Sequence, residues 1–506
     1  MVTAENGALP GGKAGGVGDV LRDLPPAVAE TGRPVTILMP SYGRLHETAG
    51  MEWCGELTVP FAGIPRKIQW YGKQTAADVD TVVLHHDLFD PHGNQQIYHD
   101  DGPDNPFATD ATKFALLCAA AGRWLVEHMA ENGVLHLHDW HAGLLCLLGA
   151  RDPAYAALRD RRTVLTLHNL ALQGLRPRRD HESSFTQWFP HLDADDELLS
   201  DPRYPDVANP LAAAIRQCDQ INTVSPTNAV EIVQPNDPSR GFHGGEGLEH
   251  LLQQAASEHR LHGILNGCDY SRPASRVELS ELIQLVKETV AIWRTDFPHH
   301  QALYELALRN LTRAEANTPN IIVTAVSRLT NQKAGLLLAE SDGSTLLQKI
   351  LRSLPNDCLV LILGSGDPNI EAALAQHAAS DTRLVFLRGF SEKLASAVFG
   401  AGDLFLMPST YEPCGISQMY AMRAGQPCLV HAVGGLNDTV THRVTGFSFR
   451  GSSTHEQIDQ CMAACIEAQQ VFFDHPAQWS EIVAAASALR FPWQAAAQQY
   501  SELMYE

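Results

Sequence analysis

The apolar residues of this chain gather into short, nearly unbroken runs rich in Val, Ile and Leu, punctuated by Gly, Pro or Asn. In the first half such runs occupy residues 35–39, 81–85, 134–137, 163–167 and 220–224. A run that is apolar at nearly every position is the pattern of a strand buried on both faces of a parallel sheet. Residues 111–129 and 142–150 carry helical spacing instead. The alternation predicts a doubly wound α/β domain. Residues 277–316 break the rhythm, being charged and helical with no β run, and five further runs follow at 321–326, 358–363, 384–387, 404–407 and 428–431. Two α/β halves are therefore expected, one over residues 1–265 and one over 266–478. The Ala/Gln-rich stretch 479–506 reads as a helical tail free to pack back on the first half. Met1-Val2-Thr3-Ala4-Glu5 reads as the end of a further strand, either short or continued upstream. Ligands of such sheets bind beyond the carboxyl ends of the strands, so the polar residues that close each run are the candidates for chemistry.

Length and composition narrow the picture. A chain of 506 residues suits two to four domains at roughly 100–200 residues each. The formal net charge of −21 argues against nucleic acid as a partner, because a phosphate backbone calls for a basic patch. A bound anion would have to be met by cations gathered locally. The ten cysteines show no metal-ligand spacing, and Cys54, Cys118, Cys146, Cys218 and Cys268 read as buried thiols suited to a reducing cytoplasm. The N-terminal stretch lacks the basic and apolar regions of a signal peptide. No apolar run reaches the roughly 18–20 residues that span a bilayer.

Four constellations carry chemistry. Gly11-Gly12-Lys13-Ala14-Gly15-Gly16-Val17-Gly18 follows the first strand and opens a helix, where backbone N–H groups and Lys13 can approach a phosphate or sugar. It closes with neither the Gly-Lys-Ser/Thr of a phosphate loop nor a dinucleotide fingerprint. His136-Leu137-His138-Asp139-Trp140-His141 ends one strand, and His168-Asn169 ends the next. These side chains suit hydroxyl recognition better than a metal, for which no partner cluster is evident. Ser327-Arg328-Leu329-Thr330-Asn331-Gln332-Lys333 supplies a bidentate guanidinium and a point charge, a pair able to grip a diphosphate. Gly364-Ser365-Gly366 is a weak glycine signal with Asn369 where a third glycine would stand. Glu412, in Ser409-Thr410-Tyr411-Glu412-Pro413-Cys414-Gly415, closely follows a very apolar strand, where a carboxylate needs a partner or a task. Gly434-Gly435 repeats the strand-to-glycine design.

In order along the chain, these segments resemble the glycogen and starch synthase family, glycosyltransferase family 5. The resemblance is carried by Lys13-Ala14-Gly15-Gly16, by residues 138–144 and 167–174, by Asn222-Thr223-Val224-Ser225-Pro226, and by Gly245-Glu246-Gly247-Leu248. Gly263-Ile264-Leu265-Asn266-Gly267, residues 327–333, Glu412-Pro413-Cys414-Gly415 and Gly434-Gly435-Leu436 complete it. It implies a GT-B fold, two Rossmann-like doubly wound domains facing across a cleft. It also implies transfer of glucose from ADP-glucose, or UDP-glucose in some relatives, to the non-reducing 4-OH of an α-1,4-glucan. Configuration is retained, and neither a metal nor a cofactor is needed. By matching position, Arg328 and Lys333 would hold the diphosphate, and Glu412 would orient the donor glucose. His168, with Asn169 beside it, would contact that glucose, while Asp139 and Asn266 would complete the sugar pocket. Lys13, Gly15 and Gly16 would close over the phosphates. Gly434, Gly435 and Leu436 would contact sugar and phosphate through the backbone, and Phe390 would stack on the base in place of a frequent tyrosine.

No second carboxylate is placed as the nucleophile of a retaining glycosidase. The family reading is a front-face substitution in which the departing phosphate takes the acceptor proton. The chain departs from the family pattern at Ala14, where Thr is common, at Val17-Gly18, where Leu-Ala is common, and over residues 175–208 and 271–319. The implied partners are a nucleotide sugar and an α-glucan, with neither nucleic acid nor membrane, and homo-oligomerisation is left open. Two alternatives compete: a GT-B glucosyltransferase acting on a small acceptor, and a catalytically silent glucan-binding relative. Product length separates the first, and glucan binding without turnover would mark the second.

Overall fold

Val2 sits in the middle of the first sheet. In the computed structural model, which describes residues 1–271 and 276–506, it bridges Leu38 on one side and Leu137 on the other, both parallel. Its N–H donates to the His136 carbonyl (2.9 Å), and the Leu38 N–H donates to the Met1 carbonyl (2.8 Å). This short segment joins two groups of four strands. One group comprises β1 (Val35–Pro40), β2 (Glu52–Phe61), β3 (Ile64–Ala76) and β4 (Val79–His85). The other comprises β5 (Leu135–His138), β6 (Thr163–Leu167), β7 (Gln220–Thr223) and β8 (Leu261–Gly263). The order is β8-β7-β6-β5, the Val2 segment, then β1-β4-β3-β2. Pairing is parallel except along β3, which is antiparallel to both β2 and β4.

The hairpin β2–β3 carries no unbroken apolar run, because exposed and buried residues alternate along β2. Cys54 lies on this hairpin and is exposed, contrary to the buried thiol expected from its sequence neighbours; the other nine cysteines are buried, and all ten are free. Residues 175–208 hold Arg176 and Arg178 inside the fold. Arg176 donates to the Pro106 carbonyl (2.8 Å) and Arg178 to the Ala194 carbonyl (3.0 Å), so two of the basic residues there serve loop architecture.

The chain divides into two compact units. The first comprises Met1–Asn236, Gly244–Gly267 and Pro492–Glu506. Its final segment buries Trp493, Tyr500 and Tyr505 with Val20, Leu24 and Val28 of helix Gly16–Ala29. The second unit comprises Asp237–His243 and Cys268–Phe491. The tail read as one piece over 479–506 is thus shared: Trp479 and Ile482 belong to the core of the second unit.

The second sheet contains β9 (Ile321–Val326), β10 (Cys358–Gly364), β11 (Leu384–Arg388), β12 (Leu404–Met407), β13 (Cys428–His431) and β14 (Gly446–Phe449). It is all parallel, in the order β11-β10-β9-β12-β13-β14. This is the dinucleotide-fold order, and it reverses between β9 and β12. The charged stretch 277–316 forms helices Leu279–Asp296 and Gln301–Ala316, whose apolar stripes cover one face of the sheet. Among the described residues, no helix is long and apolar enough to cross a membrane.

Candidate active site

In an open α/β sheet, the crevice at the point where strand order reverses is where two strands lead their loops apart. In the first unit that point lies between the Val2 segment and β5. The loops leaving it are the glycine loop and Asp139-Trp140-His141, with His168-Asn169 one strand further on.

Asp139 takes φ 54° and ψ −168°, a region that non-glycine residues seldom occupy. The strain turns its carboxylate onto the next strand's loop, where Oδ1 accepts the His168 N–H at 2.7 Å. Burial pushes the Asp139 carboxyl up to about 7, against N–H donors from His168 and Asn169 that favour the charged form. Burial also holds His168 and His141 down to about 3, and His138 well below its ordinary range. His138 Nδ1 and His168 Nε2 are 3.0 Å apart. These rings are neutral at physiological pH, which suits hydroxyl recognition rather than phosphate binding. His136 is turned inward, bonded to Tyr505 Oη (2.9 Å) and Thr166 Oγ1 (2.7 Å), and serves the core. Asn169 Oδ1 accepts the Ala171 N–H (2.9 Å). Among the described residues, Asn266 Oδ1 and His141 Nδ1 are buried with no hydrogen-bond partner.

The glycine loop is shaped from within. The N–H groups of Ala14 and Gly15 donate to Glu5 Oε2, and Lys13 Nζ pairs with Asp19 (2.6 Å). A Cβ built on Gly16 would meet nothing within 4 Å. Glu5 was not singled out by sequence. The signal that marked Glu412, a carboxylate just after a buried strand, applies equally to it.

In the second unit, the loops after β9 and β12 are stitched together. Thr410 N–H donates to the Gln332 carbonyl (2.8 Å), and Lys333 forms an ion pair with Glu412. Ser409 Oγ lies 3.4 Å from the same carboxylate oxygen. Arg328 is exposed on the loop before. Gly434 and Gly435 let the following turn press on the Glu412 segment: Cβ atoms there would lie 2.0 Å from the Glu412 carbonyl oxygen and 2.3 Å from that of Cys414. Gly435 N–H already donates to the Glu412 carbonyl (3.1 Å), and the Leu436 N–H donates to the Val433 carbonyl (3.0 Å). Gly364 and Gly366 pack against the carbonyls of Ser327 and Leu329, so this glycine pair serves loop packing. Beyond β11, Phe390 is 62 % exposed. Glu371, which the sequence did not flag, joins the loops there by accepting the Gly366 N–H (2.9 Å) and pairing with Arg388 (2.6 Å). Among the described residues, no cluster of His, Cys, Asp or Glu is fit to hold a metal ion.

Known proteins match this chain at both units. The starch synthase catalytic domain family matches residues 1–254, and the family "Glycosyl transferases group 1" matches residues 320–467. The chain is 34% identical over 504 residues to a glycogen synthase of Deinococcus radiodurans, covering 98% of this chain and 97% of that one. It is 35% identical over 512 residues to a glycogen synthase of Anaeromyxobacter dehalogenans, with coverage of 98% and 96%. Among solved structures, it is similar to the catalytic domain of starch synthase IV from Arabidopsis thaliana bound to ADP and acarbose. The TM-score there is 0.78 at 25% identity, over 99% of this chain and 97% of that chain. A sucrose-phosphate synthase from Thermosynechococcus elongatus shares the fold, with a TM-score of 0.54 at 16% identity and coverage of 97% and 93%. Ordered motifs, paired α/β units and full-length identity together show that the chain belongs to the glycogen and starch synthase family of GT-B glycosyltransferases.

Proposed function

We propose that this protein transfers glucose from ADP-glucose to the non-reducing 4-OH of an α-1,4-glucan with retention of configuration. The observation that carries the reading is the Lys333–Glu412 pair at the strand-order reversal of the second sheet. A cation and a carboxylate are held together where such a sheet receives its nucleotide. The starch synthase of similar fold is bound to ADP and acarbose, which supports both donor and acceptor class.

In this reading Arg328 and Lys333 bind the diphosphate and stabilise the charge that develops as it leaves. Glu412 orients the donor glucose and supports the cationic sugar. His168 and Asn169 contact that glucose, while Asp139 and the orphaned Asn266 amide oxygen complete the pocket. Lys13 leaves Asp19 to meet the phosphates, and Gly15 and Gly16 shape the loop that carries it. Gly434, Gly435 and Leu436 form the wall against the Glu412 segment. Phe390 offers its exposed ring to the base. The C1–O bond to the diphosphate breaks as the C1–O4 bond forms on the same face, and the released ADP takes the acceptor's proton. The reaction uses no metal and no cofactor. The free thiols fit a cytoplasmic setting.

The test is ADP release with glycogen as acceptor, comparing ADP-glucose with UDP-glucose, for the wild type and Glu412→Ala. Glucan-dependent ADP release that the variant loses supports donor, acceptor and site together. Release with neither donor, from a folded protein, defeats the polymerising role and favours a small-acceptor transferase or a silent binder.

A further inference from the structure

Glu5 closes the Val2 segment with a side chain buried to 2 % exposure. An isolated buried carboxylate is costly, so its partners define its task. Its Oε2 accepts the N–H groups of Ala14 (2.7 Å) and Gly15 (2.6 Å), and its Oε1 accepts the Tyr98 hydroxyl (2.8 Å). Tyr98 is itself clamped on both sides. Lys113, fully buried, donates to the Ile97 carbonyl (2.5 Å), and the Asp110 carboxylate accepts the His99 N–H (3.1 Å). Lys113 and Asp110 pair at 2.9 Å within the first turns of helix Ala108–His128. A continuous set of bonds thus runs from that helix through residues 97–99 to Tyr98, to Glu5, and to the tip of the glycine loop.

We infer that Glu5 is a positioning residue which holds the glycine loop in its donor-binding shape. The inference rests on the transferase reading for the identity of the donor. Two adjacent N–H groups form a nest that would otherwise take an anion. Here the protein's own carboxylate fills it, with charge-assisted bonds stronger than neutral ones. An incoming diphosphate is therefore left Lys13, just before the nest, and the open Gly16 turn just after it. Glycines at 15, 16 and 18 make this loop entropically loose, and an internal anchor offsets that looseness.

The experiment combines steady-state kinetics in ADP-glucose at saturating glycogen with amide hydrogen exchange over residues 6–20 and with ADP affinity. Glu5→Ala is expected to raise exchange over 6–20 and the donor KM by about tenfold, with a smaller change in kcat, as three charge-assisted bonds are lost, two of them to the loop. Glu5→Gln keeps an oxygen for both N–H groups, in neutral bonds, and is expected to restore protection and KM in part. Tyr98→Phe, which removes one bond to Glu5, is expected to fall between. A folded Glu5→Ala whose donor KM and ADP affinity match the wild type overturns the inference. So does a Glu5→Gln no better than Glu5→Ala. Should Glu5→Ala not fold, Tyr98→Phe decides: unchanged exchange and donor KM overturn the proposal. Wild-type protein without glucan-dependent ADP release would sink the transferase reading, while exchange and ADP affinity would still judge Glu5.

Discussion

Lys333 and Glu412 meet as an ion pair inside the second unit, with side chains only 15% and 7% exposed. One stands at the start of a helix after β9 and the other in the loop after β12, so only the strand order brings them together. Removing either leaves the other charge partly buried and unpaired, at a cost of about 3 kcal/mol in stability. Glu412→Ala and Lys333→Ala are each expected to lower kcat by about 10²-fold or more. Because the two act as a unit, the double variant should lose far less than the product of the single losses. ADP-release rates and denaturant midpoints for the four proteins check this, and multiplicative losses would argue for independent roles.

Asp139 makes stability depend on pH with a definite sign. Burial raises its carboxyl from an ordinary 3.8 to about 7. Between those values the folded protein binds a proton that the unfolded chain does not. This contribution is therefore fullest at low pH and is lost as pH rises through the window. Asp139→Asn keeps an oxygen for the His168 N–H, is no larger than Asp at this strained backbone position and cannot titrate. The variant's stability relative to wild type is expected to grow from pH 4.5 to pH 8, by about 3 kcal/mol. Parallel curves in chemical denaturation would contradict it.

Gly174 is fixed by its neighbour. It has φ +67°, and a Cβ there would fall 2.1 Å from Trp140 Cε3. Gly174→Ala is expected to cost roughly 2–4 kcal/mol, combining backbone strain with a displaced indole. It should also disturb Asp139, which adjoins Trp140. A melting temperature equal to wild type would refute the clash.

Phe390 offers an exposed aromatic face. With Phe390→Ala the KM for ADP-glucose should rise about tenfold, kcat should hold, and Phe390→Tyr should keep affinity. A kcat loss without a KM change would place the ring elsewhere in the cycle.

Much of the fold was legible because strands buried on both faces are written as unbroken apolar runs. Each of β9 to β13 could be read that way. The hairpin β2–β3 could not, since its exposed residues interrupt any run, nor could the short edge strands β8 and β14. Cys54 misled for a related reason: it sits in a mixed run beside Trp53, on the face of the strand that lies in solvent.

The candidate site was legible as segments and their residue types. Lys333 and Glu412 announced themselves as charges at the ends of apolar strands. That they pair, that Gly435 spends its N–H on the Glu412 backbone, and that His136 faces the core were settled by packing. By itself the sequence determined the strands buried on both faces, the glycine positions and the chemical character of each loop, because these follow from local periodicity and residue type. Only the tertiary structure decided which loops share a strand-order reversal, which histidines stay neutral and which carboxylate anchors the glycine loop. Those depend on sheet order and on desolvation by residues distant in the chain, and no local pattern encodes either.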